Sequence, residues 1–282
     1  MDGEKISNKT TIRREINNNN GIIWIRNTSH QDRKTDLDHF SSMLNEIKNP
    51  VILITSDGVR SVPSSYDKLV VSKLLKSPKI LKWYTQNYDK TIYHEKLGYY
   101  PIGLDMHTKQ WLGPFYINIL PMSYYRWKKY NLYLKLRDKY QDNKINKIFC
   151  DSHLTISHPS RKKMHNTLIN NNLIEFQKER VNYKIILKKY AQHRFVLSPR
   201  GKGLDCHRTW EIFLLGSIVI VETSSLDDMY IKNNLPVIIL NKYEELNSIS
   251  SEKLNKWYID NKDKCKKENI LPKFKPSYWY KR

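Results

Sequence analysis

Short apolar runs alternate with helical periods along the chain. Residues 21–26 (Gly-Ile-Ile-Trp-Ile-Arg) form a run of strand length, whereas Leu37, Phe40, Met43 and Leu44 fall at helical spacing before the helix-stopping Asn49-Pro50. Residues 51–55 read as a second buried strand ending at Ser56-Asp57-Gly58. Residues 66–75 read as a helix with Ser64 or Ser65 as N-cap. Further strands are expected at 80–84 and 97–102. Strands that are apolar throughout rather than alternating indicate a parallel sheet covered on both faces. Ligands then bind beyond the carboxyl ends of the strands, so Asp57, Asn87 and the 103–107 segment (Gly-Leu-Asp-Met-His) should converge on one cleft.

Residues 108–146 break this rhythm. Pro114 and Pro121 punctuate an aromatic stretch, and 123–140 reads as a long basic helix. The α/β rhythm then restarts, with strands at 148–150, 195–197, 218–221 and 237–240. Helices are expected after Ser160, at 181–190, at 206–215 and at 251–258. The expected domains are a flexible arm (1–20), a first α/β domain (21–122), a helical linker (123–146) and a second α/β domain (147–250). A C-terminal helix and tail (251–282) would return to the first domain.

The segment 194–221, RFVLSPRGKGLDCHRTWEIFLLGSIVIV, carries the most specific chemistry. A strand runs into Ser198-Pro199-Arg200-Gly201-Lys202-Gly203, Asp205 is placed to cap the following helix, and Gly216 to end it. Glycines expose backbone amides, and a helix N-terminus offers unpaired donors to an anion. The dipole contributes about 0.3–1 kcal/mol. A charge-assisted Arg–phosphate contact contributes about 1.5–3 kcal/mol, so Arg200 and Arg208 matter more. Asp205, Arg208 and Glu211 lie three apart on one helix face. Phosphate at Arg208 would leave ribose hydroxyls near Glu211, about 4.5 Å along the axis. The same spacing also fits a glycine-rich turn with an Arg208–Glu211 ion pair. Cys206 stands where a dinucleotide fingerprint needs its third glycine.

The stretch FVLSPRGKGLDCHRTWEIFLLGSIVIVETSSLDDMY followed by LPVIIL resembles the donor-binding half of exostosin-type glycosyltransferases, through Pro199, Gly201, Arg208, Glu211, Gly216, Ile218 and Leu235-Pro236. More loosely, residues 83–87 (WYTQN) and 99–105 (YYPIGLD) resemble segments of exostosin-like proteins of microbes and large viruses. The resemblance implies an α/β, GT-B-like fold of two Rossmann-like domains facing a central cleft. It further implies a nucleotide-diphosphate-sugar donor (UDP-sugar favoured), a glycan or other hydroxyl acceptor, and inverting transfer without metal or cofactor. By carry-over Arg208 holds the diphosphate and Glu211 the ribose. Ser198, Pro199, Arg200, Gly201, Gly203, Asp205 and Thr209 complete the donor site, with Arg161 as a further phosphate contact. Inverting transfer needs a general base across the cleft. Asp57 is the first choice, His107 the second, and Asp105 could orient either.

Charge and composition modify this picture only at the margins. With 49 Lys+Arg against 28 Asp+Glu in 282 residues, the formal net charge is +21. That suits nucleic-acid binding, and the basic aromatic stretch 124–130 could stack on bases. Yet the lysines lie among many Asn, Ile and Tyr residues, as an AT-rich genome would dictate. The bland alternative is a helix that packs its Tyr and Trp inward with lysines outward. A catalytically inactive nucleotide- or glycan-binding relative is the other alternative. Three widely spaced cysteines make neither a disulfide framework nor a zinc finger. His153 and His158 lack metal-site spacing. Asp36-Leu37-Asp38 sits within a helical period, and Asp227-Asp228 suits a cap. The N-terminus lacks a signal-peptide core and no run is long enough to span a bilayer, so a cytoplasmic location is expected, in the host if the source is viral.

Overall fold

The structure is a computed structural model that describes residues 9–27, 35–107, 121–155 and 158–280. Residues 1–8 of the expected arm, and Pro114 with most of its aromatic stretch, lie outside the described residues.

The first half builds a parallel sheet in the order β1 (Ile22–Arg26), β2 (Val51–Ser56), β3 (Ile80–Thr85), β4 (Leu97–Tyr99). Every residue of β2 is buried, as a strand covered on both faces must be. Helix α2 (Asp36–Ser42) begins at a capping box in which Thr35 and Asp38 satisfy each other's amides, which gives the Asp36-Leu37-Asp38 triplet a structural use. Helix α3 (Lys68–Lys76) is capped by Asp67 rather than by Ser64 or Ser65.

The expected arm is corrected where it is described: Lys9–Asn17 forms a helix, α1, with Ile12 and Ile16 buried in the first core. The polar composition of 1–20 conceals two apolar residues spaced i, i+4, enough for one turn to dock.

The second half is a parallel sheet in the order β6-β5-β7-β8-β9, formed by β5 (Ile145–Cys150), β6 (Ile174–Phe176), β7 (His193–Leu197), β8 (Ile218–Glu222) and β9 (Val237–Leu240). Alternate residues feed two cores: Phe149, Val196, Val219 and Val221 enter one, and Ile148, Phe195, Leu197, Ile218 and Ile220 the other. That two-sided burial is why these strands read as unbroken apolar runs. Strand order reverses between β5 and β7, the topological switch point where such sheets place ligands.

Helix α4 (Met122–Tyr140) does more than connect. It packs on α6 (Tyr183–Gln192) and α7 (His207–Leu214), and its Arg137 donates to the carbonyl of Leu214 at 2.9 Å, capping the end of α7. Helices α5 (Pro159–Leu168), α8 (Asp227–Lys232), α9 (Ser251–Asn261) and α10 (Lys267–Ile270) complete the second half. The tail brings Trp279 edge-on to Trp210 at 5.4 Å, beside the 100–104 segment arriving from the first sheet. The result is two Rossmann-like α/β domains whose carboxyl-end loops meet, the GT-B-like layout expected. Among the described residues no helix is long and apolar enough to cross a membrane.

Candidate functional site

The loop after β7 and the start of α7 lie at the switch point. Ser198 and Thr209 are both buried and share a hydroxyl hydrogen bond at 2.9 Å, tying strand end to helix. Pro199, Gly201 and Gly203 are buried, whereas Arg200 and Lys202 are exposed. The Gly201 amide already points at Cys206 Sγ at 3.1 Å, a weak acceptor that a phosphate oxygen could replace. Arg161 grips the loop from behind: its guanidinium donates to the carbonyls of Arg200 (2.9 Å) and Pro199 (3.3 Å) and to Thr155 Oγ1 (2.6 Å).

Helix α7 starts one residue later than expected. Its N-cap position is Cys206, without a side-chain cap, and Asp205 has another use. The Asp205 carboxylate accepts from the Trp210 indole (2.9 Å) and from the Ile102 amide of the first half (2.7 Å). Burial pushes its acid up to about 6 against these hydrogen bonds. Gly216, with φ of 73°, ends the helix as expected.

Arg208 and Glu211 do not pair with each other. Arg208 Nε accepts no proton and instead donates to Tyr190 Oη at 3.0 Å, with Asp151 Oδ1 3.4 Å away; Tyr190 in turn donates to Asp151 at 2.8 Å. Burial opposes the guanidinium charge, but Tyr190 and Asp151 outweigh it and hold Arg208 cationic. Both contacts run through Nε, so among the described residues the two terminal nitrogens remain for an anion. Asp151, just past β5, was not foreseen; its place after a buried strand was the available signal.

Glu211 is buried, and its Oε1 accepts from Tyr133 on α4 at 2.9 Å and from Tyr183 on α6. Burial and then the adjacent Glu211 carboxylate push both phenols far above their ordinary range, so they stay donors at any working pH. These tyrosines lie 78 and 28 residues away in sequence, and no local spacing announces them. Among the described residues, Oε2 remains for further hydrogen bonds.

Asn87 joins the halves. Its Nδ2 donates to the carbonyls of Gly58 (3.2 Å) and Arg60 (3.3 Å), and its Oδ1 accepts from the Asp205 amide at 2.8 Å. A Cβ on Gly203 would lie 3.0 Å from the Asn87 side chain, so the glycine permits that approach. Asp57 sits at the end of β2 with φ of 61°, partly exposed and ion-paired with Arg26 at 3.2 Å. His107 is exposed and lies 3.4 Å from Asp105, whose carboxylate also faces Lys129 at 3.7 Å. The 103–107 segment is thus drawn to α7, where His207 Nδ1 bonds the Gly103 carbonyl at 2.9 Å. His207 was not foreseen.

The 124–130 stretch meets the bland expectation in part, with Tyr125 buried and Arg126 and Lys128 exposed, and departs from it at Lys129 and Trp127. Lys129 is buried, its Nζ donating to the Asp105 carbonyl, while Trp127 is 64% exposed. The cap expected of Asp227-Asp228 is corrected: Leu226 is the N-cap of α8, without a side-chain cap, and Asp227 is its first residue, accepting from the Ser224 amide at 3.0 Å, while Asp228 pairs with Lys90 of the first half at 2.7 Å.

No family model matches the chain, and no curated protein matches it. Among solved structures it is similar to an alpha,alpha-trehalose 6-phosphate synthase from Burkholderia multivorans, at 8% identity and TM-score 0.48 over 96% of this chain and 72% of that one. It is also similar to a UDP-forming alpha,alpha-trehalose-phosphate synthase from Burkholderia vietnamiensis (8%, 0.45, 96% and 76%). A third is a trehalose-6-phosphate protein from E. coli bound with UDP-2-fluoro glucose (11%, 0.46, 96% and 74%). These likenesses concern the course of the chain, and the chemistry of the site rests on its own side chains.

Proposed function

We propose that the protein is a glycosyltransferase of exostosin-like descent and GT-B type. It would move a sugar from a nucleotide-diphosphate donor, UDP-sugar favoured, to a glycan or other hydroxyl acceptor. The observation that carries this reading is the face of α7 at the switch point. There, among the described residues, Arg208 presents two unengaged guanidinium nitrogens, and Glu211, one turn on, keeps one carboxylate oxygen while two tyrosines secure the other. A burial this expensive, for a carboxylate and a guanidinium on adjacent turns, suits a ligand carrying both an anion and a diol.

In this reading the diphosphate lies against Arg208, Arg200 and the amides of residues 201–203, and the ribose hydroxyls bond Glu211 Oε2. Arg161, Ser198, Pro199, Thr209 and Asp205 shape the loop from beneath. As the glycosidic bond to the donor breaks, charge grows on the leaving diphosphate, and Arg208 stabilises it. Asp57 or His107 takes the acceptor hydroxyl's proton, giving inversion without a metal in the transfer step.

Thermal stabilisation by UDP, GDP and their sugars tests the reading. Nucleotide at about 100 times its Kd should stabilise the wild type by about 2.7 kcal/mol. Arg208→Ala and Glu211→Gln should lose that gain while remaining folded, and undiminished nucleotide binding in both variants would refute the site. Acceptor-dependent turnover of the best donor then separates an enzyme from an inactive binding relative.

A further inference from the structure

Asp105, His107 and His207 converge where the segment leaving the first sheet meets the first turn of α7, and one donor atom from each lies within 4.8 Å of the others. The two halves of the chain both contribute. The ring of His207 is already set: its Nδ1 lies 2.9 Å from the Gly103 carbonyl oxygen. A carbonyl can only accept, so Nδ1 is the donor there and Nε2 is the ring nitrogen that would ligate an ion. A backbone carbonyl fixing the far nitrogen is how proteins orient an imidazole toward a metal. The rings of His107 and His207 meet edge-on at 5.7 Å. Asp105 is held as well: its Oδ1 accepts from the His107 amide at 3.2 Å, and Lys129, almost wholly buried, reaches its Oδ2.

The geometry points to a binding site for a divalent transition-metal ion, best suited to Zn2+, with Asp105, His107 and His207 as ligands. Two imidazoles and one carboxylate match a borderline-soft ion rather than Mg2+ or Ca2+, which take oxygen ligands. Zinc bonded at about 2.0–2.2 Å places tetrahedral ligand atoms roughly 3.4 Å apart. The most distant of these atoms, up to 4.8 Å apart, must therefore close by about 1.4 Å, and His107, with its side chain 45% exposed, has room to rotate inward. Water completes the shell. The ion clamps the 103–107 segment, and with it the first half, onto α7, while the donor groups Arg208 and Glu211 stay outside its coordination. A metal-bound His107 takes no proton, which leaves Asp57 as the base of the proposed transfer.

Zinc titration of the chelator-stripped full chain, followed by calorimetry, tests the assignment without any activity assay. The wild type should bind one Zn2+ per chain with a Kd of micromolar or tighter, and Mg2+ should give no such binding. His107→Ala and His207→Ala should each weaken that site at least tenfold, with circular dichroism of the zinc-free variants confirming their fold. His107 is exposed, so its variant tests the site even if His207→Ala unfolds. No tight site in the wild type, or a smaller loss in a folded variant, would overturn the proposal. Nucleotide plays no part in the titration, so its outcome is separate from that of the transferase reading.

Discussion

Glu211 brings a carboxylate into the interior, and the two phenols that receive it come from α4 and α6. Tyr183→Phe removes one charge-assisted hydrogen bond and should destabilise the fold by about 1.5–3 kcal/mol in denaturant unfolding. It should also weaken nucleotide binding if Glu211 holds the ribose. Lys144 makes a second residue-scale case. Its ammonium is enclosed and donates to Ser217 Oγ at 2.9 Å and the Leu215 carbonyl at 3.2 Å, yet burial pulls its pKa down to about 7 from 10.5. A depressed folded-state pKa means the unfolded chain binds more protons between those values. Stability from this group is therefore present above pH 10.5 and lost as pH falls through about 7. Lys144→Met should flatten the rise in unfolding free energy between pH 7 and 10 relative to wild type, measured by urea titrations across that range.

At the scale of elements, α1 is the clearest departure from expectation. Ile12 is 1% exposed in the first core, so Ile12→Ala should cost about 2–5 kcal/mol by chemical denaturation. A flexible arm would lose nothing on that substitution. The turn after β2 is equally constrained. A Cβ on Gly58 would stand 1.6 Å from the Asn27 carbonyl oxygen, a backbone atom that cannot swing away. Gly58→Ala should therefore destabilise by about 3 kcal/mol or more, read from the shift in urea midpoint, and displace Asp57 with it. The unit β7–loop–α7–β8 was legible in advance because its cues are local: apolar runs, glycines in the turn, and Gly216 at the helix end. The cap was misassigned to Asp205 because its true partners, Trp210 and Ile102, become visible only when the chain is folded.

At the scale of the molecule, Asn87 and Asp205 stitch the carboxyl-end loops of the two sheets together, and Tyr99 and Lys90 add bonds to Ser225 and Asp228. The net charge of +21 acts over the same scale. Nucleic-acid binding driven by charge alone should fall steeply with salt and be indifferent to Trp127→Ala, whereas base stacking would lose about 1–3 kcal/mol per base. Filter binding at two salt concentrations distinguishes them. What the residue order alone determined is the two-domain parallel α/β plan and the candidate phosphate loop. Strand burial, turn glycines and helix spacing operate over a few residues and survive in one dimension. Tertiary structure decided which side chains face each other: Tyr133 and Tyr183 on Glu211, Asp151 on Arg208, Asn87 against Gly203, and His207 beside Asp105 and His107. Those contacts join residues up to more than a hundred positions apart, and long-range pairing is set by how whole elements pack, which no local pattern encodes.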